Sequence, residues 1–297
     1  MPSTYAHYKF GEEVLKLLPA PLAEIVRAER AAYSVALHGP DVLSYYKALR
    51  SNAVNSIGFA THERPAREFF VPARTNLAAF AEQDAAKAYL FGFVCHFALD
   101  SACHGYIENK IARSDVRHTV IESEFDRSLL LADGKDPLSA RLTDHILPTA
   151  RNAALVAAAF GIDADSALCA LRSMLSCNEF LRAPGHIKRT LVRAVLFFSG
   201  NYREMHGAMI ARKPVAACAD STLRLKKLFD AAVPRAAALI LALNEWLEGR
   251  AELPAEFGKT FGAGEGWQDI PVLTAEEEAK YVLPACGTEI LTEETKS

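Results

Sequence analysis

The sequence predicts an all-α protein, and three observations support this. Apolar residues recur at spacings of three and four over most of the chain, which is typical of amphipathic helices. No segment shows the sustained period-two alternation of a half-buried strand. About half of the 297 residues, 51%, are hydrophobic, enough to fill one sizeable core. We therefore expect a single compact multi-helix domain.

Five helices are expected in the first part of the chain, over residues 10–18, 21–37, 41–58, 64–83 and 84–106. Pro19 ends the first of them, and the Gly39-Pro40 pair ends the second. Asp41 stands where an N-cap is expected for the third. The fourth is expected to be interrupted near Pro72.

Five further helices are expected over residues 116–133, 139–160, 163–178, 184–206 and 219–247. Gly134 and Gly161 mark helix ends, and Asp163 or Asp165 is a suitable N-cap after the second glycine. Glycines break the regular pattern after residue 250. Residues 1–250 are therefore interpreted as the functional domain, and residues 251–297 as an irregular extension, packed on it or partly disordered.

Charge and composition exclude several classes of protein. The formal net charge is −3 and the pI about 6.3, so no specific nucleic-acid partner is expected. The nearest approach to a basic cluster is interpreted as a solvated helix face; it comprises Arg182, Lys188, Arg189 and Arg193. No apolar run approaches the ~18 residues of a transmembrane helix. No secretory signal is visible, which favours a cytoplasmic location and free, mostly buried cysteines.

The segment around residue 100 carries the most informative pattern. His96, Asp100 and His104 follow one another at intervals of four within an otherwise apolar run. On a helix these side chains share one face. Two imidazoles and a carboxylate are costly to bury unless a partner satisfies them, and a divalent metal ion would do so. The pattern therefore indicates a metal site.

Other histidines and acids add to this pattern. His118 and Glu122 are again four apart on the next helix, while His7, Asp41 and His62 precede the central run. Imidazole and carboxylate together, without a thiolate cluster, suit zinc best, with manganese or iron as further candidates. The remaining residues His145, His186 and His206 lack such company and are interpreted as structural.

The number of candidate ligands indicates more than one ion. Eight residues exceed the needs of a single tetrahedral zinc, so two or three Zn²⁺ ions sharing a bridging carboxylate are expected. Clustered divalent ions stabilise the attacking and leaving oxygens of a phosphoryl displacement, and they generate hydroxide near neutral pH. The residues thus favour hydrolysis of a phosphoric ester by a metal-activated water.

The order of these residues resembles the bacterial zinc-dependent phospholipase C family, over residues 5–210. The resemblance rests on the Gly-Pro-Asp turn at 39–41, the two His-x3-acid pairs and their separation. It implies an all-α fold with a trinuclear zinc cluster in a cleft. It also implies a phosphoester substrate, with a phospholipid as one candidate, and phosphodiesterase activity.

The resemblance also implies a role for each residue. Asp41, His62, His96 and Asp100 would hold one ion, and Asp100 would bridge to a second ion that His7 also binds. A third ion would be held by His104, His118 and Glu122. Asp41 would act as a ligand or as the catalytic general base. The alternative is that Asp41 is only a helix N-cap.

The chain departs from secreted members of the family at its N-terminus. Those members bind the second ion through a processed N-terminal tryptophan, whereas this chain begins Met1-Pro2. The second ion could be absent, or completed by water, by the N-terminus or by His38. Nearby aromatic residues could line a lipid cleft, but helix packing is the favoured interpretation; they are Tyr5, Tyr8, Tyr45, Tyr46, Phe59, Phe69 and Phe70.

Two other functions remain open on the sequence. One is a nuclease of the related trinuclear type, which the lack of a basic groove disfavours. The other is a helical protein whose metal is structural or whose site is no longer catalytic. The oligomeric state is not indicated by any pattern in the chain.

Overall fold

A computed structural model describes residues 4–284, apart from the side chains of Arg203 and Glu204. Its α-helices are α1 Thr4–Leu17, α2 Ala20–Ala28, α3 Arg30–Ala36, α4 Asp41–Ser44, α5 Ala53–Glu63, α6 Arg67–Ala78, α7 Gln83–Ala112, α8 His118–Ala132, α9 Ala150–Phe160, α10 Ala164–Leu181, α11 His186–Phe198, α12 Tyr202–Met205, α13 Ala219–Leu247 and α14 Ala275–Lys280. Residues 4–284 contain no β-strand, and the all-α prediction is confirmed.

Helix α7 forms the centre of the molecule. Its middle turns are buried on every side, because α3 packs against one face and α13 against another. The approach of α3 is so close that a Cβ on Gly92 would lie 2.4 Å from the carbonyl oxygen of Tyr33. Glycine is therefore required at the crossing, and polar residues within α7 are held deep in the core.

The segment after α13 wraps back over the core. Phe257 and Phe261 are fully buried. Further along, Glu278 of α14 forms a buried bidentate ion pair with Arg224 of α13, with Nε–Oε1 and Nη2–Oε2 distances of 2.8 and 2.7 Å. The segment from Phe257 to Glu278 therefore contacts the helical core; residues 285–297 of the predicted extension lie outside the described residues.

A second, smaller core lies apart from the main one. Leu181, Ala183, Val192, Leu196 and Met209 bury one side of α11 together with the chain that precedes and follows it. No helix between residues 4 and 284 is by itself long and apolar enough to cross a membrane; the bent pair α9 and α10, at 114°, meets that test only when the two are taken together.

Three predicted helices are wrong in extent. The helix expected over 41–58 is two helices, because the chain turns at Lys47 with a φ of 48° and Asn52 begins α5 with a capping box. The helix expected over 139–160 begins only at Ala150, since Pro148 precedes a new N-cap at Thr149. The helix expected over 184–206 ends at Phe198.

Smaller differences concern breaks and ends. The helix expected over 21–37 is divided at Glu29. Pro72 lies inside α6 without interrupting it, and α7 continues to Ala112. By contrast, α13 has the predicted bounds, and Asp163 caps α10 by accepting the amide of Ser166. The described cysteines are free, and three of them, Cys95, Cys103 and Cys218, are buried.

Candidate metal centre

His96, Asp100 and His104 of α7 lie at the centre of the candidate site. His96 and Asp100 are buried, and Asp100 is surrounded by imidazoles. Its Oδ2 atom lies 3.1 Å from His96 Nε2, 3.6 Å from His62 Nε2 and 3.7 Å from His104 Nδ1. Asp100 is therefore positioned to bridge the groups of ligands on either side of it.

Asp41 and His62 approach this centre from α4 and α5. Asp41 is not the N-cap, a position that Pro40 occupies, and its side chain makes no capping hydrogen bond. Instead, Oδ1 lies 3.1 Å from His62 Nε2 and Oδ2 lies 3.7 Å from His96 Nε2. The turn at Gly39-Pro40 thus delivers Asp41 to the cleft rather than to the end of the helix.

His7 is brought to Asp100 by α1. Its Nε2 atom lies 3.2 Å from Asp100 Oδ1, and its ring stacks on that of His96 with centroids 4.4 Å apart. The position of α1 is fixed by Asp126 of α8, whose carboxylate accepts the backbone amides of Tyr5 and Ala6 at 3.0 and 2.8 Å. Asp126 therefore fixes the position of the helix that carries a candidate ligand.

On the far side of Asp100, α8 contributes a second pair. His118 Nε2 lies 3.0 Å from Glu122 Oε1, the distance expected for facing residues one turn apart. His104 of α7 approaches the same oxygen, with its Nε2 at 4.0 Å. His104, His118 and Glu122 together form the outer part of the site.

The structure brings all eight predicted residues together in three neighbouring groups, the first two of which share a residue. Within each group one donor atom from every member lies within 4.8 Å of the others. The groups are His7, His96 and Asp100; Asp41, His62 and His96; and His104, His118 and Glu122. His96 belongs to two of them, and Asp100 lies between the first two and the third.

Backbone carbonyls orient three of the imidazoles. The Nδ1 atoms of His62, His96 and His104 face the carbonyl oxygens of Gly58, Leu37 and Phe261 at 2.9, 3.3 and 2.9 Å. A carbonyl can only accept, so each Nδ1 carries a proton, and Nε2 is the nitrogen that a metal ion would bind. No sequence pattern indicates these carbonyls, since a backbone group is the same at every residue.

Several ligand atoms are buried and without a hydrogen-bond partner. They are Asp41 Oδ2, His96 Nε2, Asp100 Oδ2 and Glu122 Oε2. His96 Nε2 and Asp100 Oδ2 are 3.1 Å apart, yet their geometry is not that of a hydrogen bond. Buried polar atoms are normally satisfied, and lone pairs that converge in this way fit a shared cation. The donor set therefore fits zinc ions.

Charge within the cluster favours ionised carboxylates. Burial alone would raise the pKa of Asp100, but the neighbouring His96 and His104 outweigh it and hold this pKa well below its usual value. Asp41 behaves similarly, with burial opposed by His96 and His62. Conversely, burial lowers the pKa of His62, while Asp41 and Asp100 raise it to about 9. The carboxylates thus match cationic partners.

The cleft above the cluster has a volume of ≈ 710 Å³. Six of the eight candidate ligands line it, all but His7 and His96, and the other lining residues include Phe59, Glu63, Glu108 and Trp267. Of the aromatic residues considered for a lipid cleft, Phe59 lines it, whereas Tyr5, Tyr45, Phe69 and Phe70 are buried in the core. Trp267, which sequence reasoning missed, lies in the segment after α13, far from the other lining residues in sequence.

The remaining histidines lie outside these groups. His38 faces His145 with their Nε2 atoms 2.7 Å apart, so this nitrogen is directed to His145 and not to the cluster. His186 contacts Arg212, and His206 stacks on Tyr202 with centroids 4.6 Å apart. The N-terminal residues 1–3, considered as a source of a ligand, lie outside the described residues.

Comparison with known proteins identifies a family for this chain. A family model described as zinc dependent phospholipase C matches residues 6–166. This range covers more than half of the chain and contains all eight residues of the cluster. No curated protein and no solved structure gives a significant match. The chain therefore belongs to the zinc dependent phospholipase C family.

Proposed function

We propose that the protein is a zinc-dependent phosphoric ester hydrolase with phospholipase C-like chemistry. The observation that carries the proposal is the gathering of buried, unpartnered ligand atoms beside one cleft, which Asp41, Asp100 and Glu122 line and which His96 adjoins through Asp41 and Asp100. Zinc bound there supplies Lewis-acid chemistry toward a phosphoryl group and lowers the pKa of water. Membership of the family supports the same chemistry.

The chain's own residues would divide the work. His7, Asp41, His62, His96, Asp100, His104, His118 and Glu122 would hold two or three zinc ions, with Asp100 as the bridge. Asp41 would serve as a ligand or as the general base. Its lowered pKa keeps the carboxylate ionised at neutral pH, which either role requires. The carbonyl oxygens of Gly58, Leu37 and Phe261, which accept from the Nδ1 atoms, would hold the imidazoles in place.

The lining of the cleft supports a substrate with a cationic group. Glu63 and Glu108 add negative charge, while Phe59 and Trp267 offer aromatic surface. Phe59 is 59% exposed, so its face is free for a ligand. Carboxylates and aromatic faces together attract quaternary ammonium groups. A phosphodiester that carries a choline-like amine, including a phospholipid headgroup, is therefore the substrate class that we propose.

The same lining gives no support to the nuclease alternative. Within residues 4–284, no lysine or arginine lines the cleft. A nucleic-acid backbone is bound largely through such cations, and the acidic side chains here would repel it. A structural metal site remains the other possibility, and activity measurements separate it from the proposed enzyme.

Metal analysis tests the first half of the proposal. The purified chain should contain two or three zinc ions, and Asp100→Ala should lose most of this zinc, because the bridge between groups is removed. His186→Ala is the matched control, since His186 lies outside the cluster, and its zinc content should be unchanged. A wild-type chain free of metal, even after exposure to zinc, would overturn the proposal.

Hydrolysis assays test the second half. The zinc-loaded chain should hydrolyse a choline phosphodiester faster than a chromogenic phosphate monoester, and single-stranded DNA should be left intact. Asp41→Asn separates the two roles of Asp41: unchanged zinc with lost turnover indicates a base, whereas lost zinc indicates a ligand. Full zinc occupancy without activity on any of the three substrates would favour the structural site.

A further inference from the structure

Helix α11 presents an apolar face to solvent. Ile187, Leu191, Val195 and Phe198 are 80, 61, 53 and 85% exposed. Single exposed apolar residues are common, but a row of large ones along one helix is not. The opposite side of α11, with Val192 and Leu196, is already buried in the small second core. The exposed row is thus surplus to the packing of this helix.

Helical geometry gathers these side chains into one stripe. At about 100° per residue, Ile187, Leu191, Val195 and Phe198 fall within a sector of about 80°. Lys188 lies beside one edge of this stripe, whereas Arg193 lies about 120° beyond the other edge, nearer to the buried side of the helix. An outward apolar stripe on a helix with exposed cations nearby is typical of a helix that lies in the interface of a membrane.

The surrounding chain is strongly basic, although the whole chain is not. Residues 179–218 contain seven Lys and Arg and two Glu, of which Glu179 pairs with Arg182 and Lys188, whereas the chain as a whole has a net charge of −3. Arg193, Arg212 and Lys213 are exposed, while Arg189 is buried against backbone carbonyls. The basic cluster is therefore only partly the solvated face that the sequence suggested, because Arg189 is buried.

We propose that α11 docks the protein on an anionic lipid surface. The stripe of Ile187, Leu191, Val195 and Phe198 would enter the boundary between headgroups and acyl chains, and the exposed cations of the segment would face anionic headgroups. A second copy of the chain is a poorer occupant, since it would bring the same excess of positive charge to the contact. The proposal goes beyond the phosphoesterase function and does not depend on it.

The construction of this region suits such a role. Because α11 packs on its own small core, apolar contacts with a bilayer can form without any change in the main core or the cleft. The helix has 13 residues, which is too short to cross a bilayer but sufficient to lie along its surface.

Vesicle flotation of the full chain tests the proposal. Binding to vesicles that contain phosphatidylglycerol and phosphatidylcholine should exceed binding to phosphatidylcholine alone. Leu191→Asp with Phe198→Asp should lower the vesicle affinity by at least about tenfold, since two large apolar contacts are lost. Arg193→Glu should lower it by about fivefold or more, and only on the anionic vesicles.

Leu131→Asp is the matched control, because Leu131 is also an exposed helical leucine, 51% exposed, but belongs to α8. It should bind vesicles as the wild type does. The same measurements on chelator-treated protein keep the result independent of the zinc site. Absence of binding, equal loss in Leu131→Asp, or a dimer in sedimentation that Leu191→Asp dissolves without any lipid binding would each overturn the proposal.

Discussion

The carboxylate of Asp126 accepts the backbone amide of Tyr5 at 3.0 Å and so caps α1 from a different helix. The first amides of a helix have no partner within it, and here α8 supplies one for two of them. His7 follows directly after these amides. Helix α8 therefore carries two candidate ligands of its own and also sets the position of a third.

Removal of this cap should affect both stability and metal content. We expect Asp126→Ala to lower the free energy of unfolding by about 2 kcal/mol, because two charge-assisted hydrogen bonds to buried amides are lost. His7 should then be held less firmly, and zinc content should fall. Denaturant unfolding and elemental analysis measure the two effects.

Asp163→Ala is the control for this change. Asp163 caps α10 through the amide of Ser166 at 2.7 Å, and α10 carries no candidate ligand. The variant should lose about 1 kcal/mol of stability with its zinc content intact. Equal loss of zinc from both variants would show that Asp126 acts through general stability alone.

Gly39 gives a second pair of variants. Its φ is +47°, and a Cβ added there would lie 2.3 Å from Cδ2 of His96. Gly39→Ala should therefore displace His96 and reduce zinc content. Gly249, with a φ of +71° and open space around it, suffers a similar backbone strain of about 1 kcal/mol without any contact to the site. Metal analysis of Gly249→Ala should match the wild type; a matching loss there would contradict this explanation.

The ion pair of Arg224 and Glu278 should stabilise the packing of the C-terminal segment on the core. Both side chains are buried, so Glu278→Ala leaves an uncompensated guanidinium and should cost about 3–5 kcal/mol. Glu276→Ala, on the exposed side of the same helix, should change the free energy of unfolding by less than about 0.5 kcal/mol. Thermal unfolding compares the two; similar melting temperatures would refute the assigned role.

Asp133 should make stability depend on pH. Burial tends to raise its pKa, but hydrogen bonds from Tyr5 and Lys9 outweigh this, and the pKa in the folded chain is lowered. A lowered pKa stabilises the fold above the unfolded-state value, and this contribution is lost as the pH falls through the folded-state value.

Asp133→Asn should therefore reduce the free energy of unfolding by about 1 kcal/mol at pH 7. The difference from the wild type should vanish at acidic pH, below the folded-state pKa. Denaturant unfolding at a series of pH values measures it. A difference that stays constant with pH would mean that the charge of Asp133 contributes nothing.

Sequence patterns predicted the long helices better than the connections. The apolar periodicity of α7 and α13 is sustained over many turns, so their existence was clear. Residues 133–149 were partly misread as helix, because their apolar residues have helical spacing while Pro137 and Pro148 break the chain. The turn at Lys47 has no glycine or proline to mark it, because there a lysine adopts the positive φ that glycine usually takes.

The candidate ligands were visible in the sequence because spacing of four places side chains on one face. Their supports were not. Asp126 contacts amides about 120 positions away, and Phe261 orients His104 across a separation of 157 residues. In each of these contacts one partner is a backbone group, which is the same at every residue and leaves no pattern in the sequence. The structure was required to find them.

The spacing of His96, Asp100 and His104 has a geometrical consequence. Each interval of four advances about 6 Å along the axis and turns about 40° further round it, so the two imidazoles diverge by about 80°. Spacings of four and then three would have kept them closer to one line. This angular drift lets a single straight helix serve two sides at once: His96 turns toward Asp41, His104 turns toward Glu122, and Asp100 lies at the bisector.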